Sequence, residues 1–295
     1  MRAAARIKRS SKMDQADRLR DLMSGKESRA RVIAVTSGKG GVGKTSVAVN
    51  LGLALVDRGK RVIIVDVDIG LANADVLLSV QPKLHLGHVL SGEVTPLDAL
   101  TLCPGGALLL GGCSGVRHLS DLDKPERDFL VRSFQDLEAY ADFIIIDTGA
   151  GISRNVVQFS SAADEVMVVT CPEPTAITDG YAVIKAISRE KGFGRIRLVV
   201  NLALDTGEAL RVAERIQMVS RRFLGIEVDY LGHILQDEQV RLAIRRKRAF
   251  FLEFPRCPAS GCMRALAEKI LGEEPTVKSR GFFKRVASAI HGVLS

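Results

Sequence analysis

The sequence predicts an α/β fold, a doubly wound and mostly parallel sheet with helices on both faces, on three observations. Short β-branched runs recur at intervals that leave room for helices. The stretches between them repeat apolar residues at helical spacing. The polar residues that carry chemistry fall where the runs end. The runs occupy residues 32–36, 62–67, 143–147, 165–170, 197–201 and 230–235. Most are continuously apolar rather than alternating, as strands buried on both faces are. Val47, Leu51, Ala54 and Leu55 recur at helical spacing, and so do Phe129, Phe134, Leu137 and Tyr140. Strands alternating with helices make a parallel sheet. In such sheets ligands bind beyond the carboxyl ends of the strands.

Length and charge set the bounds. At 295 residues, 46% hydrophobic and 26% charged, the chain suits one large α/β domain with short appendages, or at most two domains. The expected division is an N-terminal extension over 1–30, the main domain over 31–272, and a linker with a last helix over 273–295. No apolar run approaches the ~20 residues a membrane-spanning helix needs. The basic first twelve residues lack the apolar core of a secretory signal, so a cytoplasmic protein is expected. The cysteines (Cys103, Cys113, Cys171, Cys257, Cys262) form no CxxC pair and read as structural thiols. The net charge of +8 is unevenly placed. Residues 1–12 carry five positive charges and the chain after Pro275 four, with no acids in either, so the remainder sums to −1. A general DNA-binding surface is weakened by that distribution.

The first run leads directly into Ser37-Gly38-Lys39-Gly40-Gly41-Val42-Gly43-Lys44-Thr45-Ser46, followed by a helical pattern. Strand, glycine loop and helix in that order are what a Walker A phosphate loop requires. Glycines let backbone N–H groups curl around phosphate oxygens without Cβ clashes, and the helix N-terminus adds partial positive charge. The expected ligand is ATP with Mg²⁺, bound by Gly38 through Ser46. Lys44 bridges the β- and γ-phosphates and the Thr45 hydroxyl holds the metal.

Two acidic strand ends complete this site. Asp147 closes the run 143–147 as a Walker B aspartate that orients the metal. The turn Thr148-Gly149-Ala150-Gly151 follows it, suited to sensing a γ-phosphate. Asp66 and Asp68 lie two apart at another strand end, which puts both carboxylates on one side. One could help the metal and the other orient the attacking water; alternatively Asp66 caps the following turn.

The loop carries a second lysine, Lys39, and Lys39-Gly40-Gly41-Val42-Gly43-Lys44-Thr45 resembles the deviant Walker A of the MinD/ParA group of dimerising ATPases. The resemblance implies that Lys39 reaches across a dimer to the partner's nucleotide. Asp66-Val67-Asp68-Ile69-Gly70-Leu71-Ala72-Asn73 is similar to that group's first switch, which implies that Asp68 positions the hydrolytic water. Val200-Asn201 and the stretch from Pro172 to Tyr181 also fit, with Asn201 carried over as the adenine reader. One departure is Ile234-Leu235-Gln236-Asp237, where relatives usually have proline after the isoleucine. It touches the adenine pocket and leaves ATP binding intact.

Within the group, Asp14-Gln15-Ala16-Asp17-Arg18-Leu19-Arg20 resembles the DQAxxLR element of the FlhG family, MinD-like regulators of flagellar number. The turn from Asp147 to Ser153 is also typical of it. The resemblance runs from Met13 to the C-terminus and implies that Asp14, Gln15, Ala16, Leu19 and Arg20 engage an FlhF-type GTPase, with Gln15 entering its active site. It implies an ATP-dependent homodimer that regulates flagellar number or placement through slow hydrolysis. Flagellar basal-body or transcription-regulator proteins are further candidate partners. Residues 1–12 are then either an extension or the product of an upstream start codon.

In residues 282–294, Phe282, Phe283, Val286, Ala289, Ile290, Val293 and Leu294 share one broad face. Lys284, Ser288 and His291 mark the other side, with Arg285 at the border. The segment is too short to span a membrane but suits lying in the interface, with Lys284 and Arg285 toward anionic headgroups. The alternative is an ordinary helix packed on the body. One such helix binds marginally, whereas two in a dimer raise avidity by ~10²–10⁴. ATP would then hold the protein reversibly at the inner face of the cytoplasmic membrane.

The rival readings are a MinD proper, which shares the switch and the tail but lacks the DQA element, and a ParA-type DNA segregation protein. The latter needs a basic surface. Arg241, Arg245, Arg246, Lys247 and Arg248 are its best candidate, although such a run more often forms a solvated helix face. A metal-cluster carrier would need paired cysteines that the spacing does not supply.

Overall fold

The computed structural model describes residues 29–68, 73–112, 135–273, 281–282 and 285–286. Each of the six β-branched runs is a strand: β1 (Arg31–Ser37), β2 (Val62–Asp66), β5 (Phe143–Ala150), β6 (Glu165–Thr170), β7 (Arg195–Ala203) and β8 (Asp229–Leu235). Two short strands, β3 (Leu100–Leu102) and β4 (Leu108–Leu110), add to them and were not predicted. Three residues each, Leu-Thr-Leu and Leu-Leu-Leu, are too short to show a period, and this pair is joined through Gly105-Gly106, both at positive φ.

The order across the sheet is β3-β4-β2-β5-β1-β6-β7-β8. Every pairing is parallel except β3 with β4. β1 thus lies mid-sheet with earlier and later strands diverging on either side, so the crevice outside its carboxyl end is the topological switch point.

Period-two geometry sends alternate residues of each strand to opposite faces. Ile33 and Val35 of β1, with Ile64 and Ile145, pack under α1 (Lys44–Asp57), α8 (Phe250–Glu253) and α9 (Pro258–Gly272). Val32 and Ala34, with Ile63, Val65, Ile144 and Ile146, face the other way, toward α3 (Leu86–Leu90) and α4 (Arg154–Ala162). Val166, Val168, Leu198 and Val200 meet α5 (Pro174–Ser188) and α6 (Thr206–Leu224) on that second face. Helices therefore cover both faces, as continuously apolar strands demand. Two short helices, α2 (Ala74–Leu78) and α7 (Glu238–Arg245), follow the carboxyl ends of β2 and β8.

The described part of the tail follows the packed alternative. Phe282 is fully buried and Val286 nearly so, in the cluster that holds Leu137 and Phe159, and the Phe159 and Phe282 ring centroids lie 6.3 Å apart. Arg285 donates to the Ala162 carbonyl at 2.5 Å and pairs with Asp164 at 2.9 Å. Asp164 also accepts from the Val32 amide and pairs with Arg29. Phe282 and Val286, two residues of the face read as lipid-seeking, pack instead in the cluster that lies between α4 and the helical residues 135–140. Phe283, Lys284, Ile290, Val293 and Leu294 lie outside the described residues, as do Asp14, Gln15, Ala16, Leu19 and Arg20. Deleting a buried phenyl ring costs ~3–5 kcal/mol. Phe282→Ala is therefore expected to shift the urea midpoint by that equivalent; a change below about 0.5 kcal/mol would mean the tail is undocked in solution.

Candidate functional site

The glycine loop sits where β1 ends, and its backbone is shaped by residues that only glycine satisfies. Gly41 and Gly43 have φ of 85° and 87°, left-handed values that cost a side chain strain. Gly43 precedes α1 directly, so the helix N-terminus opens into the loop. Val42 points the opposite way, into the core. Asn201, at the end of β7, is buried behind the loop and donates from Nδ2 to the Val42 carbonyl at 2.8 Å. It thus props the loop from beneath.

A cleft of about 930 Å³ opens above, which is ample for a triphosphate and its metal. Gly40, Gly41, Gly43, Lys44, Thr45 and Ser46 line one side and Asp68 the other. Gly38 and Lys39 lie off it. Gly38 packs against the backbone of Asp179 in α5. Lys39 is exposed and reaches sideways, 2.7 Å from Glu173 Oε2 and 3.1 Å from Thr175 Oγ1. The hydrogen bond to Glu173 holds its pKa above the usual lysine value.

Lys44 is buried, and its ammonium lies 2.6 Å from Asp147 Oδ1 and 4.0 Å from Asp68 Oδ2. Asp147 is wholly buried, and its second oxygen, Oδ2, has no hydrogen-bond partner. Burial pushes this carboxyl up, while Lys44 and the Thr45 hydroxyl pull against that. A buried, unpartnered carboxylate oxygen beside a hydroxyl is the donor set a hard divalent cation takes, so Thr45 and Asp147 fit Mg²⁺ as expected. Asp68 is partly exposed and desolvation raises its pKa, with Lys44 opposing. The backbone of Gly149 passes so near that a Cβ there would meet Asp68 Oδ1 at 3.4 Å.

Asp66 takes up the capping alternative. Its Oδ1 accepts from the Asp68 amide at 3.0 Å, and its Oδ2 from the amides of Asn73 and Ala74 at 3.1 and 3.2 Å. Burial first, then the charge of Asp147, push its pKa up to about 7.

Ser153 of the turn also lines the cleft, as do Arg154, Asn155, Val156 and Phe159, which were not singled out from sequence. The signal was the glycine turn ending at Gly151, because the helix that follows starts across the cleft from the glycine loop. Of the basic run, Arg241 pairs with Glu238, and Arg246 and Arg248 with Glu253, as on a solvated helix face.

The model of the CobQ/CobB/MinD/ParA nucleotide binding domain matches residues 33–250. The chain is 44% identical to the antiactivator FleN of Pseudomonas aeruginosa over 240 residues, 81% of this chain and 86% of that protein. It is 34% identical to the flagellum site-determining protein YlxH of Helicobacter pylori over 247 residues, 80% and 82% of the two chains. The septum site-determining protein MinD of Pyrococcus horikoshii, solved with Mg-ADP, superposes with a TM-score of 0.67 at 25% identity. That match covers 82% of this chain and 96% of the other.

Proposed function

Since the chain belongs to the MinD/ParA family of P-loop ATPases and is FlhG-like within it, we propose that it is an ATP-gated dimeric switch. On this reading it regulates flagellar number or placement, cycles on and off the cytoplasmic membrane, and stimulates an FlhF-type GTPase through the element at Gln15. The flagellar relatives support its biological setting.

ATP and Mg²⁺ are its ligands, and hydrolysis needs little more than positioning and charge. Lys44, 2.6 Å from Asp147 Oδ1, would meet the β- and γ-phosphates of a bound triphosphate, and Asp147 with Thr45 would hold the metal. Mg²⁺, when bound, neutralises charge on those phosphates. Asp68, at the cleft edge beside Lys44, holds the attacking water, and its raised pKa makes it a better proton acceptor. By the family resemblance Asn201, buried behind the loop, would read adenine there.

The position of Lys39 carries the dimer reading. A lysine within a phosphate loop is expected to face the phosphates, yet this one lies outside its own cleft, tethered to α5 and its N-cap residue Glu173. That position supports a role toward a second copy's nucleotide. Two docked tails released by dimerisation then give a membrane affinity one cannot.

Co-sedimentation with vesicles of anionic lipid tests this, comparing ATP with ADP for wild type and Asp68→Ala. ATP should raise the pelleted fraction at least tenfold, and Asp68→Ala should keep the protein there by stalling hydrolysis. Equal pelleting with either nucleotide would remove membrane control and leave the partner reading alone.

A further inference from the structure

Asp66 is the buried acid that the hydrolytic scheme leaves without a task. A carboxylate offers about four lone-pair positions. Three are taken here by backbone amides, those of Asp68, Asn73 and Ala74. A residue so engaged has little left to give a metal, whereas Asp147 Oδ2 beside Thr45 has its capacity open. The partners also have a pattern. Asp68 lies two residues on, while Asn73 and Ala74 begin α2, whose N-cap Asn73 makes no side-chain cap of its own. One side chain therefore ties the first turn of α2 to the backbone that carries the Asp68 carboxylate into the cleft. Asp66 is itself fixed, since it stands in register with Asp147 across the β2–β5 pairing.

We propose that Asp66 is the positioning residue of the ATPase site: a staple that holds the Asp68 backbone against the start of α2, so that the Asp68 carboxylate stays aligned with the attacking water. It acts through Asp68 and coordinates no metal. This rests on the reading of Asp68 as the residue that holds that water.

The test is Asp66→Asn, which keeps the shape but replaces one acceptor with a donor facing backbone N–H groups. Alignment errors of about 1 Å cost ~10²-fold in rate. We expect kcat to fall ten- to a hundredfold, with KM for ATP and the half-activating Mg²⁺ concentration changed less than threefold. Combined with Asp68→Asn, the substitution should cost almost nothing more, because its effect passes through a side chain already lost. A tenfold rise in the Mg²⁺ requirement, with rate restored at saturating Mg²⁺, would make Asp66 a metal ligand and overturn the proposal. So would an unchanged kcat, or a full further loss on top of Asp68→Asn. Asp68→Asn alone is read first: if it hydrolyses ATP normally, the Asp68 reading fails on its own account. Should Asp66→Asn not fold, amide exchange in the wild type decides. Protected protons at Asp68, Asn73 and Ala74 support the staple, and free exchange at them overturns it.

Discussion

Lys44→Ala is expected to stop ATP turnover, lowering kcat/KM by ~10³-fold or more. A preorganised cation aimed at developing phosphate charge is worth several kcal/mol in a site that excludes water. Lys44 is such a cation, 7% exposed and already held 2.6 Å from Asp147. Its loss also leaves two buried carboxyls, Asp66 and Asp147, facing each other across β2 and β5. Burial has raised both pKa values in the intact protein, so the variant relieves the stress by taking up a proton and stays folded. Single-turnover hydrolysis and MgATP titration would check this. Turnover within tenfold of wild type would mean that Lys44 is a structural counter-ion to Asp147 and no phosphate ligand.

Gly38→Ala is expected to be nearly as damaging, for a steric reason, and Gly40→Ala serves as its matched control. A Cβ on Gly38 would lie 2.1 Å from both the carbonyl carbon and the oxygen of Asp179, which are backbone atoms of α5 that no rotamer change can move. A Cβ on Gly40 meets nothing within 4 Å. To accept the methyl group, the loop must part from α5 by about an ångström. That is enough to cost ~10² in rate, along with ~1–3 kcal/mol of overpacking. Gly40→Ala should leave the unfolding free energy within about 0.5 kcal/mol of wild type. Equal stabilities for the two variants would show that loop and helix separate freely.

The contrast between those glycines marks where a linear reading stops. Spacing identified the loop as a unit, because strand, glycines and helix are local in the chain. It could not tell that Gly38 serves packing against residue 179, or that Gly43 makes room for Asn201. The central strands were legible because burial on both faces leaves an unbroken apolar run, whereas β3 and β4 are too short to show one. Asp66 was legible as an acid at a strand end, with metal and cap both open. Only the amides of residues 68, 73 and 74 show the cap. The tail shows the same limit in another form. An apolar helical face has one signature whether lipid or protein covers it, so the docking of Phe282 and Val286 could not be read from their spacing.

Asp164 has a consequence at the scale of the whole molecule. Arg29 and Arg285 pair with the same carboxylate oxygen, at 3.3 and 2.9 Å. The first described residue and one of the last are therefore anchored at one address, and a change at Asp164 reaches both ends of the described fold at once.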